Sequence, residues 1–392
     1  LVKRGDSVLT GQKIGDSDKF VSAPVHATIS GEITGTTMVI NPPTAQPVEA
    51  LMITSDGTDE WVELQPTEGP EDLSPEQILS RIREAGIVGL GGAAFPSHIK
   101  LAPPKDSKID TIILNGCECE PYATSDHRVM LEYGEKVLSG LNIIRRLLSP
   151  RFAYIAIEDN KEDAIDHMEK LILSMGLERD VKIVPLESKY PMGAERVLTK
   201  LILGREVPIG GLPLDVGVVI HNVSTTQAIH DAVVEGKPLV ERVITVTGAV
   251  RNPKNLLVRF GTPLRTLMEF CGGMEGKANK VILGGPMMGF AQFDLDFPTV
   301  KGTNSLTVKE DTSVTEQHCI RCGRCVEVCP MRLMPTLLAK CAMSGRYDEC
   351  REAYIDNCFE CGVCAYTCPA NIPIVQHVKV AKKELARRAA KT

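Results

Sequence analysis

Three observations predict a multidomain protein of α/β plus β architecture that ends in a small, cysteine-rich helical domain. The chain has 392 residues, and at roughly 150 residues per domain that length implies about two to four domains, each long enough to bury its own core. Short apolar runs alternate with helical patterns through the middle of the chain, as they do in layered α/β units. Of the 13 cysteines, eight fall in two copies of one spacing near the C-terminal end, whereas a disulfide scaffold would spread them.

Composition removes several function classes. A chain that is 43% hydrophobic and 24% charged is neither disordered nor collagen-like. No stretch approaches the roughly 20 apolar residues that span a bilayer, and the richest, Val281 to Ala291, is interrupted by glycines. A net charge of −6 with a single Trp lacks the basic footprint and stacking aromatics of a nucleic-acid binder. The start at Leu1 carries no secretory signal pattern and reads as a fragment whose true N-terminus lies upstream.

Residues 1–65 are rich in Gly, Thr, Val and Pro, and the alternating segments Lys19 to His26 and Thr28 to Thr34 predict a small β module. Its Ala23-Pro24-Val25 and Ser30-Gly31-Glu32-Ile33 resemble half-motifs of the barrel-sandwich hybrid of lipoyl and biotinyl domains. No lysine stands at the expected hairpin tip, so a carrier role is not expected. Gln65 to Asp72, with two prolines and three acidic residues, reads as a linker.

Residues 74–236 form the predicted α/β domain. Ser74-Pro75-Glu76-Gln77 is a capping box with proline at the first helical position, and Ile78, Leu79, Ile82 and Ala85 share one helical face until Gly86. Strand-like runs (Asp110 to Leu114, Phe152 to Ile157, Val181 to Pro185, Val216 to Ile220) then alternate with helical patterns (Glu162 to Leu173, Ala194 to Leu203, Thr225 to Glu235). The glycine loop Gly89-Leu90-Gly91-Gly92-Ala93-Ala94-Phe95-Pro96 lets backbone amides approach a phosphate or flat ring. It lacks the Lys-Ser/Thr of a P-loop and the strand-to-helix setting of a dinucleotide fingerprint, so taken alone it is equally a structural turn. Asn115-Gly116-Cys117-Glu118-Cys119-Glu120-Pro121, Tyr190-Pro191-Met192-Gly193-Ala194-Glu195 and Ile220-His221-Asn222-Val223 each follow a strand-like run. Polar loops at the carboxyl edge of such a sheet make a pocket for a flat polar cofactor. Cys117 and Cys119 flanked by glutamates invite a metal, but the sequence shows no full ligand set, and buried thiols are expected. His98, His127 and His221 are expected as polar contacts.

Residues 237–300 read as a strand (Arg242 to Thr247), a turn (Gly248 to Pro253), a short helix near Pro263 to Phe270 and a close-packed loop over Val281 to Phe290. Residues 310–378 hold the cysteines. Cys319, Cys322, Cys325 and Cys329-Pro330 repeat as Cys358, Cys361, Cys364 and Cys368-Pro369. In C-x2-C-x2-C-x3-C-P runs the first three thiolates wrap one 4Fe-4S cluster and the fourth serves the other. Ligation is therefore expected to cross: Cys319, Cys322 and Cys325 with Cys368, and Cys358, Cys361 and Cys364 with Cys329. Zinc also uses paired C-x2-C motifs, but it stops at four ligands and would waste the third in-line cysteine. Between the copies, Pro335 to Ser344 and Tyr347 to Ile355 predict helices, with Cys341 and Cys350 as buried small residues. Residues 379–392 are a basic tail, read as a solvated helix with anionic headgroups or a partner as the alternative.

Taken together, these motifs carry a family resemblance. The stretch from Gly86 to about Glu235 resembles the flavin- and NADH-binding subunit of respiratory complex I. The whole layout resembles the C subunit of the Rnf family of ion-translocating ferredoxin:NAD oxidoreductases. The resemblance implies a barrel-sandwich-hybrid-like module, a complex I flavoprotein-like domain, a soluble-ligand-binding β-grasp domain (SLBB) and a ferredoxin-like domain with two 4Fe-4S clusters. It also implies FMN and NAD(H), held by Gly89, Gly91, Gly92, Lys100, Asn115, Glu118, Tyr190, Gly193, Glu195 and Asn222. Leu90 stands where the family loop has an Arg, and Cys117 replaces an acidic residue, so the NAD(H) contacts rest on fewer matches than those to FMN.

The implied function is electron exchange with NAD(H) at the cytoplasmic face of the membrane, as a peripheral subunit. Its expected partners are integral membrane and other subunits of the complex, and indirectly ferredoxin. Hydride carries two electrons and a cluster accepts one, which is why a flavin belongs between them. The alternatives are a relay adaptor that binds no nucleotide and a subunit of a soluble NADH dehydrogenase or hydrogenase.

Overall fold

The computed structural model describes residues 1–41, 46–104, 106–311 and 314–390. The N-terminal module pairs β1 (Ser7–Val8) with the long hairpin of β4 (Gly31–Asn41) and β5 (Gln46–Ser55), while β2 (Lys13–Gly15) pairs with β3 (Val25–His26). Val8, Ile14, Ala27 and Ile33 form its small core. Of the expected strand Lys19 to His26, only Val25 and His26 are extended in a sheet. A segment with Ser22 and Pro24 adds little to a ladder: the Ser22 hydroxyl bonds back to the Lys19 carbonyl at 2.6 Å, and proline has no N–H to give.

The α/β domain opens with α1 (Pro75–Glu84), closed by the expected capping box: the Ser74 hydroxyl accepts the Gln77 amide at 3.3 Å and the Gln77 side chain accepts the Ser74 amide at 2.7 Å. Gly86, at φ +69°, ends the turn that follows. After the short α2 (Ser97–Lys100) come β6 (Thr111–Gly116), α3 (Ser125–Glu132), α4 (Gly134–Leu148), β7 (Phe152–Glu158), α5 (Glu162–Ser174), β8 (Val181–Leu186), α6 (Glu195–Leu203), β9 (Val218–Asn222) and α7 (Val223–Val233). The sheet order is β8-β7-β6-β9, all parallel. Both faces are apolar and covered: Ile112, Leu114, Ile155 and Ile157 face one core, Ile113, Ala156, Val218 and Ile220 the other. The chain leaves β6 toward β7 and β8, then crosses back so that β9 lies on the other side of β6. That reversal makes β6 and β9 the switch point of the sheet.

The third domain is a five-stranded mixed sheet in the order β11-β10-β14-β12-β13, built from β10 (Glu241–Gly248), β11 (Lys254–Arg259), β12 (Lys280–Leu283), β13 (Phe290–Gln292) and β14 (Ser305–Lys309), with α8 (Leu264–Phe270) on its core face. Two expectations change here. The segment Val281 to Phe290 is two strand ends around a short loop, and the sheet continues past residue 300, because β14 runs parallel to β10 at its centre.

The C-terminal domain is helical and repeats itself. α9 (Arg324–Glu327) and α10 (Pro335–Met343) recur 39 residues on as α12 (Val363–Tyr366) and α13 (Ile374–Ala389), with α11 (Tyr347–Glu352) between the halves. Cys341 and Cys350 are buried in this domain's own core with Leu338, Ile355 and Val378, as expected. The basic tail is the continuation of α13, and its final residues 391–392 lie outside the described ones.

Candidate functional site

The switch point gathers three of the expected loops. At the end of β6, Asn115 donates from Nδ2 to the Gly193 carbonyl at 2.8 Å, and its Oδ1 accepts the Cys117 amide at 3.2 Å. At the end of β9, Asn222 caps α7, accepting the Thr225 amide at 3.2 Å, and donates to Asp126 Oδ2 at 2.6 Å. The glycine loop is closed by Gly89 N–H donating to the Phe95 carbonyl at 2.8 Å, and anchored to α7 by Leu90 N–H donating to Thr225 Oγ1 at 2.8 Å. A side chain on Gly91 would meet Asn222 at 3.4 Å, whereas one on Gly92 would meet nothing. The loop thus lies over the end of β9 with its crest open.

The amides of Gly91, Gly92 and Ala93 find no acceptor among the described residues, and all three residues are exposed. On the short α2 that follows the loop, Lys100 Nζ pairs with Glu195 Oε1 at 2.5 Å. Free amides at a glycine crest, a lysine and a side-chain-free approach are a donor set that fits the phosphate and flat ring of FMN. Thr225, which sequence reasoning did not single out, holds the loop in place. It sits three residues after Asn222, where a helix-start reading was the only available signal.

Glu118, expected as a cofactor contact, is engaged by the protein itself. Its carboxylate accepts the Ser125 hydroxyl at 2.9 Å and the amides of Asp126 and His127 at 2.8 and 3.0 Å, closing the first turn of α3. Burial, and then the charge of Asp126, push its carboxyl up to about 7. The buried Arg242 of β10 lies near both acids, and its Nη1 donates to the Lys301 carbonyl at 2.9 Å.

Below the Asn115 loop, the buried pair Lys161 and Glu158 meets at 2.8 Å, and Lys161 also donates to the Cys117 carbonyl at 2.8 Å. Burial raises the thiol of Cys117 and pushes that of Cys119 up to about 11. His127 bonds Asp163 at 2.7 Å, while His98 and His221 each bury one ring nitrogen without a partner among the described residues. Among the described residues, the acid-and-histidine group His230, Asp231 and Glu235 is already bridged by Lys136, at 2.9 and 2.6 Å from the two carboxylates.

The cysteine loops follow one plan twice. Arg321 and Gly323 have φ of 58° and 80°, and Glu360 and Gly362 have 63° and 85°; Arg332 and Asn371, each three residues after the fourth cysteine, have 52° and 53°. These left-handed positions curl the chain so that amides face sulfur. The backbone N–H groups of Arg321, Thr336, Glu360, Val363 and Ala365 lie toward Cys319, Cys325, Cys358, Cys361 and Cys364 and favour their thiolates, and Leu333 N–H donates to Cys329 Sγ at 3.3 Å. Cys368 lies with Cys319 and Cys322 near enough to Cys325 to raise its thiol, after burial. Cys329 does the same to Cys358, Cys361 and Cys364. The second group lines a small apolar cavity, partly open to solvent, with Leu333, Leu338, Ile374 and Val378. Four thiols in each group, with N–H donors aimed at sulfur, form a donor set that fits a 4Fe-4S cluster.

Three domains meet at the second group. Tyr190, expected as a flavin contact, donates its hydroxyl to the Cys361 carbonyl at 2.7 Å. Burial raises its phenol, so it remains a donor. Glu120 accepts the amides of Met287 and Met288 at 3.1 and 2.8 Å, and a side chain on Gly362 would lie 2.9 Å from the Met287 carbonyl. Lys379 sits 5.0 Å over the Phe290 ring.

Comparison with known proteins gives the same order of domains. Residues 1–58 match a family model described as an RnfC barrel sandwich hybrid domain, 82–231 the Nuo51 FMN-binding domain, 243–291 the SLBB domain, and 313–332 and 355–371 4Fe-4S binding domains. The chain is 48% identical over 390 residues to the C subunit of the proton-translocating ferredoxin:NAD(+) oxidoreductase complex of Clostridium ljungdahlii, covering 98% of this chain and 84% of that one. It is 43% identical over 392 residues to the Na(+)-translocating counterpart of Acetobacterium woodii, covering 98% and 87%. The C subunit of the ion-translocating oxidoreductase complex of Pseudomonas aeruginosa is 43% identical over 98% of this chain but only 50% of its own length. Among solved structures, a chain of an NAD+-reducing [NiFe]-hydrogenase shares the fold with a TM-score of 0.56 and 17% identity, over 82% of this chain and 63% of that one.

Proposed function

The chain belongs to the family of C subunits of ion-translocating ferredoxin:NAD(+) oxidoreductase complexes, and from that membership we propose how its residues carry the activity. It is an electron-transfer subunit of such a complex, with FMN and two 4Fe-4S clusters as cofactors. The amides of Gly91, Gly92 and Ala93 with Lys100 would hold the FMN phosphate, Asn115 and Asn222 fix the loops on either side, and Gly193 lets its loop pack closely against Cys117 and Cys119. Glu195 restrains Lys100 through their 2.5 Å pair. Held there, FMN would supply the chemistry that links two-electron hydride exchange with NAD(H) to one-electron exchange with iron–sulfur centres.

The protein's own contribution is positioning. The Asn115–Gly193 bond ties the end of β6 to the start of α6, Lys161 holds the backbone at Cys117, and the amides around each cysteine group would stabilise the negative charge of ligated sulfur. No helix among the described residues is long and apolar enough to cross a membrane. The chain is a peripheral subunit, and its place is the cytoplasmic face, against the integral membrane subunits that move the ion.

The observation that carries this reading is that one loop, Tyr190 to Glu195, supplies Gly193 and Glu195 to the glycine-loop pocket and Tyr190 to the cysteine loops. Stopped-flow mixing with NADH tests it: flavin absorbance should bleach first and cluster absorbance after it, in protein that co-purifies with integral membrane subunits. Clusters that stay oxidised in flavin-loaded protein would refute it.

A further inference from the structure

The two cysteine groups differ in their surroundings. Cys361 is buried, and Cys329, Cys358 and Cys364 are half-buried. Two other domains touch their loop, through the Tyr190 hydroxyl on the Cys361 carbonyl and the Met287 carbonyl against Gly362. Arg196, on the first turn of α6, also reaches Asn357, the residue before Cys358, at 3.4 Å. In the other group Cys319 and Cys322 are exposed, and their loop makes no such contact with the flavin-binding domain among the described residues. Its rim presents Ile320 and, from the helix before Cys368, Tyr366, at 68% and 80% exposure.

We propose that Cys329, Cys358, Cys361 and Cys364 form the inner cluster site, coupled to the flavin pocket through Tyr190, and that Cys319, Cys322, Cys325 and Cys368 form the outer site, where electrons are exchanged with another chain. This rests on the functional reading above. Tyr190 is a positioning residue: one peptide loop places Gly193 and Glu195 at the pocket and the Tyr190 hydroxyl on the backbone of an inner ligand. The Cys361 carbonyl is fixed by a half-buried phenol. Electron transfer weakens steeply with distance, so a site in contact with the flavin loop is the one reached first. The outer site, with two exposed thiols and an apolar rim, is the one another protein can approach.

The test uses the complete, anaerobically loaded protein with Cys322→Ser and Cys361→Ser, each leaving one group intact. Freeze-quenched EPR after mixing with NADH should show the remaining cluster reduced in Cys322→Ser. In Cys361→Ser, NADH-driven reduction should be lost while dithionite still reduces the cluster. Independently of turnover, a soluble dysprosium chelate should speed spin relaxation more in dithionite-reduced Cys361→Ser than in Cys322→Ser. Tyr190→Phe, which keeps every ligand, should shift the EPR spectrum of only the less accessible cluster in the otherwise unchanged protein, and this measurement decides the matter if a serine variant does not fold. Equal NADH reduction in both serine variants, equal relaxation by the chelate, or a Tyr190→Phe shift in the more accessible cluster would overturn the assignment. If NADH reduces neither cluster in the unmutated protein, the functional reading fails, and the chelate comparison still decides which site is outer.

Discussion

The carboxylate of Glu120 accepts the Met288 amide at 2.8 Å across 168 residues of sequence, and with the Met287 amide at 3.1 Å it fastens the α/β domain to the loop between β12 and β13. Gly285 makes room for it: a side chain there would come within 2.1 Å of Glu120 Oε2. Glu120→Ala leaves two amides without their acceptor and should lower stability by about 1–3 kcal/mol in denaturant titration. Gly285→Ala should lower it too, and because both changes break one contact, the double variant should fall short of the sum.

Gly193 is predicted to matter through space. A side chain there would lie 3.1 Å from Cys119 Sγ and 3.4 Å from Cys117 Cβ, pushing the Tyr190 loop off the end of β6. Gly193→Val should lower the FMN retained after gel filtration while iron content stays unchanged. Equal flavin in variant and parent would count against this residue's place in the pocket.

Iron content separates the ligand cysteines from the bystanders. Cys322→Ala should remove about half of the iron, since each group holds one of two similar clusters. Cys341→Ala should keep all of it, because Cys341 is buried in the helical core. Metal analysis of both variants checks the pair of outcomes.

Lys301 gives a pH dependence with a definite sign. Its ammonium donates to the Pro24 and Gly86 carbonyls at 2.9 and 2.6 Å, joining three domains with no carboxylate partner among the described residues. Burial lowers its pKa from 10.5 to about 8. Between those values the unfolded chain holds a proton that the folded chain has shed, so this group's contribution to stability rises with pH across that window. Relative to Lys301→Met, the unmutated protein should gain up to about 3 kcal/mol from pH 8 to 10.5 in chemical denaturation. A flat difference would show that the ammonium is better solvated than its surroundings indicate.

Much of this architecture is legible in the chain because local chemistry decides it. The Ser74–Gln77 capping box and the strand runs of the parallel sheet form where their patterns predict, and the cysteine spacing carries its own left-handed turns. The helix over Gly134–Leu148 escapes such reading because glycine ordinarily weakens a helix. Gly140 is there for a long-range reason: a side chain would meet the Thr226 carbonyl of α7 at 2.0 Å. Site residues divide the same way. Asn115 and Asn222 announce themselves at strand ends, but nothing local says that Glu118 will cap α3, that Glu120 will bind a loop 167 residues on, or that the Tyr190 hydroxyl will reach Cys361. These partners are set by how domains meet, which a linear pattern does not contain.

The central claim is that one chain carries electrons from a nucleotide-reducible flavin to two iron–sulfur clusters, and anaerobic titration with NADH tests it most directly. The account predicts about one FMN and about eight iron per chain, with NADH alone removing the broad visible absorbance of the clusters. Iron-replete protein that binds no FMN, and whose clusters respond to dithionite but never to NADH, would contradict it.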